Sequence, residues 1–491
     1  MPETTLNEFK YKRAMSAKDQ WKKLWQDCYN YALPQHQNTG FSGKNWGRKG
    51  SELYDATASD AIEQLAASLL GHLTPPWSQW FGLKPGPDVD ESDRQPLASV
   101  LEKAAKTVQS HFDRSNFSVE LHQCFLDLTV GGTASLLFEE SDPGALSAFN
   151  FTSVPLMSVA MGESTNGRLE NTYRKLEMTA VQIRDRYPYA ELPEQMLREN
   201  NNEIYYVREC VISEDEGYVY SACVADNAVE LANVRLEHNP FINFRWMKSP
   251  GEIYGRSPVM KVLPDIKTAN KVVELILKNA SIAISGIWQA DDDGVLNPAN
   301  IELIPGAIIP KAVGSRGLTP LDMPGRFDVS QLVLEDLRAR IRHALLVDRL
   351  PQIEARSMTA TEVLERSSEM SLLLGASYGR LQSELLTPLI VRAYEILRRR
   401  GEVPDINIDG RMVEIDYRSP LARTQGQKHV QNTLSWINSV IAMGPEAAQT
   451  INLPQAASFL AEALGVPSDL VNSVPALPVN NLEKRSEDAR V

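Results

Sequence analysis

The stretch that decides the fold is PVMKVLPDIKTANKVVELILKNASIAIS, residues 258–285. Val259, Val262, Leu263, Ile266, Ala269, Val273, Ile276 and Ala280 recur at helical spacing, and Lys261, Lys267, Lys271 and Lys278 fall on the other positions. The spacing predicts one amphipathic helix, on the order of 40 Å long at about 1.5 Å per residue. Ser257 followed by Pro258 reads as an N-cap and a first-turn proline. A helix with a single apolar face needs a partner. The next helical spacing downstream, 328–347, offers Val329, Val333, Leu337, Ile341, Ala344 and Leu345. Between the two lies a Pro/Gly-rich stretch, 286–327, too long for a simple connector and read as a small mixed module.

Working outward, the charged segment 348–358 contains Pro351 and breaks the helical pattern. Thr359-Ala360-Thr361-Glu362 then matches a capping box at the start of a helical run to Arg400, in which Gly375, Gly379 and Pro388 predict a bend. Extended Val413–Tyr417 precedes helices expected at 426–443 and 454–464, and 475–491 reads as a frayed tail. Towards the N-terminus, helices are expected at about 9–33, 52–72 and 95–115, followed by 119–130 and a strand at 133–138 opened by Gly131-Gly132. Residues 150–246 alternate β-branched or aromatic with polar side chains and predict a mostly β region, interrupted by a helix at about 179–187. The fold class is α+β, mainly helical.

The composition restricts function. The chain has 491 residues and is 43% apolar, enough for a large core in about three domains. Its 63 acidic and 50 basic side chains give a formal charge of -13, unsuited to gripping phosphates. Any nucleic-acid partner must be handled without tight binding. Cys28, Cys124, Cys210 and Cys223 have no metal-ligand or disulfide-framework spacing, which predicts a reducing compartment. The polar N-terminus and the lack of any run of roughly 18 apolar residues predict a soluble protein, cytoplasmic when made, with no membrane partner.

No catalytic, cofactor-binding or metal site is expected. The P-loop string is absent; Gly40-Phe41-Ser42-Gly43-Lys44 has the wrong spacing and is explained by a glycine loop. Asp291-Asp292-Asp293 cannot all face one ion and read as a solvated turn before Gly294. His343 lies on an amphipathic helix without a second ligand at metal spacing, and Ser257 lacks the GxSxG elbow.

Two helices flanking a compact module, then a charged loop and a long bent helix, resemble the order of elements in the portal proteins of tailed phages. At residue level the chain is similar to the T7-like head-to-tail connecting proteins. The segments that carry the likeness are Thr74-Pro75-Pro76-Trp77-Ser78-Gln79-Trp80-Phe81-Gly82-Leu83, Val130-Gly131-Gly132-Thr133-Ala134-Ser135-Leu136-Leu137-Phe138, Tyr254-Gly255-Arg256-Ser257-Pro258, and Ser357-Met358-Thr359-Ala360-Thr361-Glu362-Val363. The likeness runs from about 10 to 440 and is weakest at the C-terminus.

The resemblance implies a portal architecture assembled as a ring of roughly twelve copies. Its parts would be a wing region at 1–250, a first stem helix at 251–285, a clip at 286–327, a second stem helix at 328–347 and a tunnel loop at 348–358. A long kinked wing helix and closing strand would follow at 359–425, then crown helices at 426–474 and a flexible tail at 475–491. It also implies a virion position at the head-tail vertex after assembly in the host cytoplasm, with the channel serving DNA packaging and ejection. The implied partners are non-sequence-specific double-stranded DNA in the channel, the packaging terminase ATPase, tail adaptor, capsid, and internal core or scaffolding proteins. Candidate DNA-channel residues are Lys271, Lys278, Arg338 and Arg342 on the stem and Arg349 and Arg356 on the tunnel loop. For each of these cations a solvated outer face or an intersubunit salt bridge is the competing role. Two rival functions remain: a ring-forming neck or tail adaptor, and a DNA-packaging enzyme, which the missing P-loop disfavours.

Overall fold

The computed structural model describes residues 3–34, 53–76, 78–164, 166–193, 196, 203–214, 217–224, 229–285, 288–290, 318–320, 327–347, 375, 377–444 and 451–464, which form an α+β fold. Helix α1 (Glu3–Ala32) turns Trp25, Cys28, Tyr29 and Ala32 inward. Helix α2 (Thr57–Leu73) buries Ile62, Leu65, Ala66 and Leu69, positions spaced three and four apart. Strand β1 (Phe81–Pro85) leads to α3 (Glu91–Arg114) and α4 (Phe117–Gly131), and α4 stops at Gly132, whose φ of 75° is left-handed.

Strands β2 (Thr133–Glu140) and β3 (Phe149–Val154) form an antiparallel pair, and β9 (Phe241–Arg245) joins the other edge of β2. Their inner face meets α3 and α4 through Phe112, Phe117, Phe138, Phe149 and Phe151, with Phe138 and Phe151 stacked at 4.4 Å. Trp80 and Phe81 extend this cluster from β1. A second sheet is an antiparallel meander, β4 (Val159–Glu163), β5 (Leu169–Thr179), β6 (Ile204–Glu214), β7 (Gly217–Val224) and β8 (Glu230–Leu236). Helix α5 (Ala180–Arg186), capped by a Thr179–Gln182 box, closes a small core on it. Buried Glu209 accepts from Arg186, from Tyr187 at 2.8 Å and from Tyr220 at 3.0 Å, so its charge is matched where water is excluded. Burial and the nearby Glu209 carboxylate push the Tyr187 hydroxyl up to about 12.

After β9 come α6 (Pro258–Ser285), a two-stranded ribbon of β10 (Trp288–Ala290) and β11 (Leu318–Pro320), and α7 (Phe327–Ala344). Helix α8 (Thr387–Arg399) follows a π turn at Gln382–Leu386. Strand β12 (Val413–Tyr417) then pairs antiparallel with β1, and α9 (Pro420–Ala442) and α10 (Leu453–Leu464) pack on each other. One continuous core joins α1–α4, the β2 sheet, the first half of α6, the second half of α7 and α8. The four cysteines are free. Among the described residues no helix is long and apolar enough to cross a membrane.

Two sequence expectations need correction. Helix α2 starts at Thr57 rather than near 52. Asn270 Oδ1 accepts from the main-chain N–H of Tyr54 at 2.6 Å and of Asp55 at 3.1 Å, and Asp55 accepts from Thr57 N at 2.9 Å, which holds 53–56 outside the helix. Helix α9 starts at Pro420, not at 426; Ser419-Pro420 is the start signal, and Gly426 is accommodated inside the helix. Near the bend expected from Gly375, Gly379 and Pro388 the helix contains a π turn at Gln382–Leu386, separated from Pro388 by Thr387. Most of the 286–327 module, the 348–358 loop, the Thr359–Glu362 capping box, Gly40–Lys44, Asp291–Asp293 and the 475–491 tail lie outside the described residues.

Candidate functional site

The start of α6 is fastened by two of the segments singled out in the sequence. Ser257 Oγ accepts from Met260 N at 3.0 Å, capping the helix, and donates to Val130 O at 2.8 Å. Gly255 N donates to Thr133 Oγ1 at 2.8 Å, and Trp246 N donates to Gly132 O at 2.9 Å. Gly132 and Gly255 cross backbone to backbone: a Cβ on Gly132 would stand 2.3 Å from Gly255 O, and one on Gly255 would stand 2.2 Å from Gly132 O. Only glycine fits either position. Beside them Tyr254 is enclosed, edge-on to Trp25 at 4.8 Å, and its hydroxyl accepts from Met161 N at 3.1 Å. Burial raises that hydroxyl well above its usual range, so it stays protonated.

From this root α6 runs against α1, α4 and α7. Val259, Val262, Leu263, Ile266 and Ala269 are buried, as are Leu334, Leu337 and Ile341 on α7 and Leu345 just after it. The two helices are antiparallel neighbours, since the ribbon β10–β11 joins their far ends and Asp265, near the start of α6, pairs with Arg340, near the end of α7. Farther from the root Val273, Ile276 and Ala280 are only half-buried, and Leu275, Leu277, Leu332 and Val333 are exposed by 47%, 52%, 72% and 44%. Half of this hairpin is therefore embedded in the core and half presents hydrophobic side chains outward.

The candidate channel cations are distributed along the hairpin. Lys271 and Lys278 both bind Glu274, at 2.9 and 2.6 Å, and these hydrogen bonds hold the Glu274 carboxyl below its usual range. The trio has a net charge of one positive unit on an exposed face. Arg338 pairs with Asp55 at 2.9 Å and ties α7 to the segment before α2. Burial pushes the Asp55 carboxyl up, but hydrogen bonds from Thr57 and Arg338 outweigh it and the net shift is downward. Arg342 is exposed on α7. Arg349 and Arg356 lie outside the described residues. His343 is exposed. Lys267, on the face shared with the lysines, pairs with Asp27 at 2.8 Å and lies over the Tyr31 ring.

Sequence reasoning missed the buried charges around Arg245, which the chain places directly beneath the root. Arg245 is 1% exposed and binds Glu384 of the π turn. A third cluster, Glu237, His238 and Glu395, brings its ligand-type atoms within 4.8 Å of one another. Arg398 reaches Glu395 at 2.8 Å and Glu237 at 3.7 Å, so a guanidinium already occupies the position a cation would take.

The described residues thus form an antiparallel helix hairpin rooted in a mixed α+β body, with exposed apolar side chains in its far half. The sequence pattern of the bacteriophage head to tail connecting protein family matches residues 5–471, and the chain belongs to that family. It is 25% identical to the portal protein of Salmonella phage epsilon15 over 503 aligned positions, covering 95% of this chain and 88% of that one. It is 21% identical to each of the portal proteins of Enterobacteria phage T3 and Escherichia phage T7, over 81% of this chain and 75% of theirs.

Proposed function

We propose that this chain is a phage portal subunit, acting at the head-tail vertex as the passage for DNA during packaging and ejection. The observation that supports this reading best is the α6–α7 hairpin: its root is locked into the core, and its far half displays Leu275, Leu277, Leu332 and Val333. Neighbouring copies would cover these side chains and make a closed ring of about twelve members, with the hairpins as stem and 286–327 as clip. Residues 1–250 with 359–425 would form the wing, 348–358 the tunnel loop and 426–474 the crown. Exposed Leu434, Trp436, Ile441 and Met443 on and just after α9 suit the same kind of association.

Within the ring the acidic chain suits passage of DNA, because each neutralised phosphate adds to a binding free energy that opposes sliding. Lys271, Lys278, Arg338, Arg342, Arg349 and Arg356 are the proposed cations that centre the duplex; Lys271 and Lys278 do so with half their charge offset by Glu274. Terminase, tail adaptor, capsid and core or scaffolding proteins are the proposed partners. The role requires no chemical reaction of the chain itself. Complementation tests the reading: a phage lacking its own portal gene, supplied with this chain in trans, should yield DNA-filled heads. Empty heads with normal amounts of folded chain at the vertex would refute it.

A further inference from the structure

The helix that ends at Arg399 contains one turn of π type, Gln382–Leu386, in which Thr387 N donates five residues back to Gln382 O. Pro388 helps explain its place, since proline has no N–H to donate and its ring crowds the carbonyl four residues earlier. The Thr387 hydroxyl donates to Gln382 O at 2.8 Å and meets Tyr417 Oη at 2.7 Å. A π turn holds one residue more than the α-helix around it and so sets the rotation of everything upstream relative to everything downstream. Some side chain must choose that rotation.

Glu384, in the middle of the turn, is positioned to do so. Arg245 Nη2 donates to its Oε1 at 2.6 Å, Arg245 Nε lies 3.2 Å from both oxygens, and the main-chain N–H of Arg245 reaches Oε2 at 3.0 Å. The remaining edges of the same guanidinium bind Ile253 O at 3.0 Å, Gly167 O at 2.9 Å and Glu163 at 3.3 Å. Arg380 adds a bond to Glu384 at 3.2 Å, and Lys248 pairs with Glu163. Ile253 is two residues from Gly255, where a Cβ would stand 3.0 Å from Arg245 Cβ. One buried fork thus touches both the π turn and the segment that roots α6.

We infer that Arg245 and Glu384 are positioning residues that gear the rotation of helix 377–399 to the root of the α6–α7 hairpin, so that displacement of one is passed to the other. Its consequence for DNA passage rests on the portal reading; the coupling itself does not. The test compares the assembled wild-type chain with Glu384→Gln, Arg245→Lys and, as a control in a separate buried charge cluster, Glu209→Gln. Hydrogen exchange should rise about tenfold or more at amides 252–262 together with 378–386 in the first two variants. In Glu209→Gln the rise should stay in β6 and β7. DNA packaging should fall about tenfold in the first two variants and match wild type in the control, a split that simple loss of stability does not give. Arg245→Lys keeps the charge and loses the fork, so it decides the matter if Glu384→Gln fails to fold. Exchange increases confined to 378–386, or equal effects of the control on 252–262, would overturn the coupling. Wild-type chain that packages nothing would overturn the portal reading instead, while the exchange comparison would still decide the coupling.

Discussion

Single residues set how firmly the root holds. Gly255→Ala places a methyl carbon 2.2 Å from Gly132 O, and neither backbone can retreat without losing the Thr133 and Trp246 hydrogen bonds. The expected cost is at least about 3 kcal/mol, read as a lower denaturation midpoint or as loss of soluble protein. Asp127 makes a pH-dependent contribution. Burial pushes its carboxyl up to about 6, against smaller downward effects of hydrogen bonds from Tyr29, at 2.8 Å, and from Leu156 N. A raised carboxyl holds its proton more tightly in the folded chain. The resulting stabilisation is present below the unfolded value near 4 and is lost as pH rises through about 6, an effect of up to about 3 kcal/mol. Urea midpoints at pH 5 and 7 should therefore differ less in Asp127→Asn than in the wild type; an unchanged difference would contradict the assignment. Buried Lys18, lowered to about 8 chiefly by burial, donates to Met157 O at 2.5 Å. It acts in the opposite window, with stability rising between about pH 8 and its ordinary value of 10.5.

At the scale of elements, the hairpin has two halves with different duties. Ile341→Ala in the embedded half should cost about 2–5 kcal/mol, because its side chain is 1% exposed and leaves a cavity. Leu277→Asp with Leu332→Asp in the uncovered half should leave the circular dichroism spectrum and denaturation midpoint unchanged yet abolish assembly; wild-type assembly by that variant would argue against the interface. This division also shows what the sequence revealed. The helix at 258–285 and the one expected at 328–347, observed as Phe327–Ala344, were legible because period and length agreed over many turns, whereas the Glu274 partner of Lys271 and Lys278 went unread although it lies at spacings of three and four. Segments 130–138 and 254–258 stood out separately, but their glycine crossing did not, because contacts between residues more than a hundred positions apart leave no local period. The β1–β12 pairing was hidden for the same reason. Arg245 and Glu384 were missed because a charged residue ordinarily reads as surface, and nothing in the order of residues says that two will be buried together.

At the scale of the whole molecule, an acidic chain carries the α6–α7 hairpin, which the proposed ring would align with its copies as a wall. The family assignment covers nearly the full chain, whereas the candidate channel cations divide into engaged and uncommitted groups: Arg338 is held by Asp55, and Arg342 is exposed. The proposed tunnel-loop role of Arg349 and Arg356 predicts that the double Ala variant assembles normally and packages or retains DNA several-fold less well, measured as protected genome length per head. Normal retention would remove those two residues from the channel. The most direct measurement is electron microscopy of the purified chain at a resolution that separates helices. The expected result is a closed ring with a central opening and the α6–α7 hairpins side by side around it, Leu277 and Leu332 facing the neighbouring copy. A solitary particle at micromolar concentration, or a ring with those hairpins on its outer rim, would contradict it.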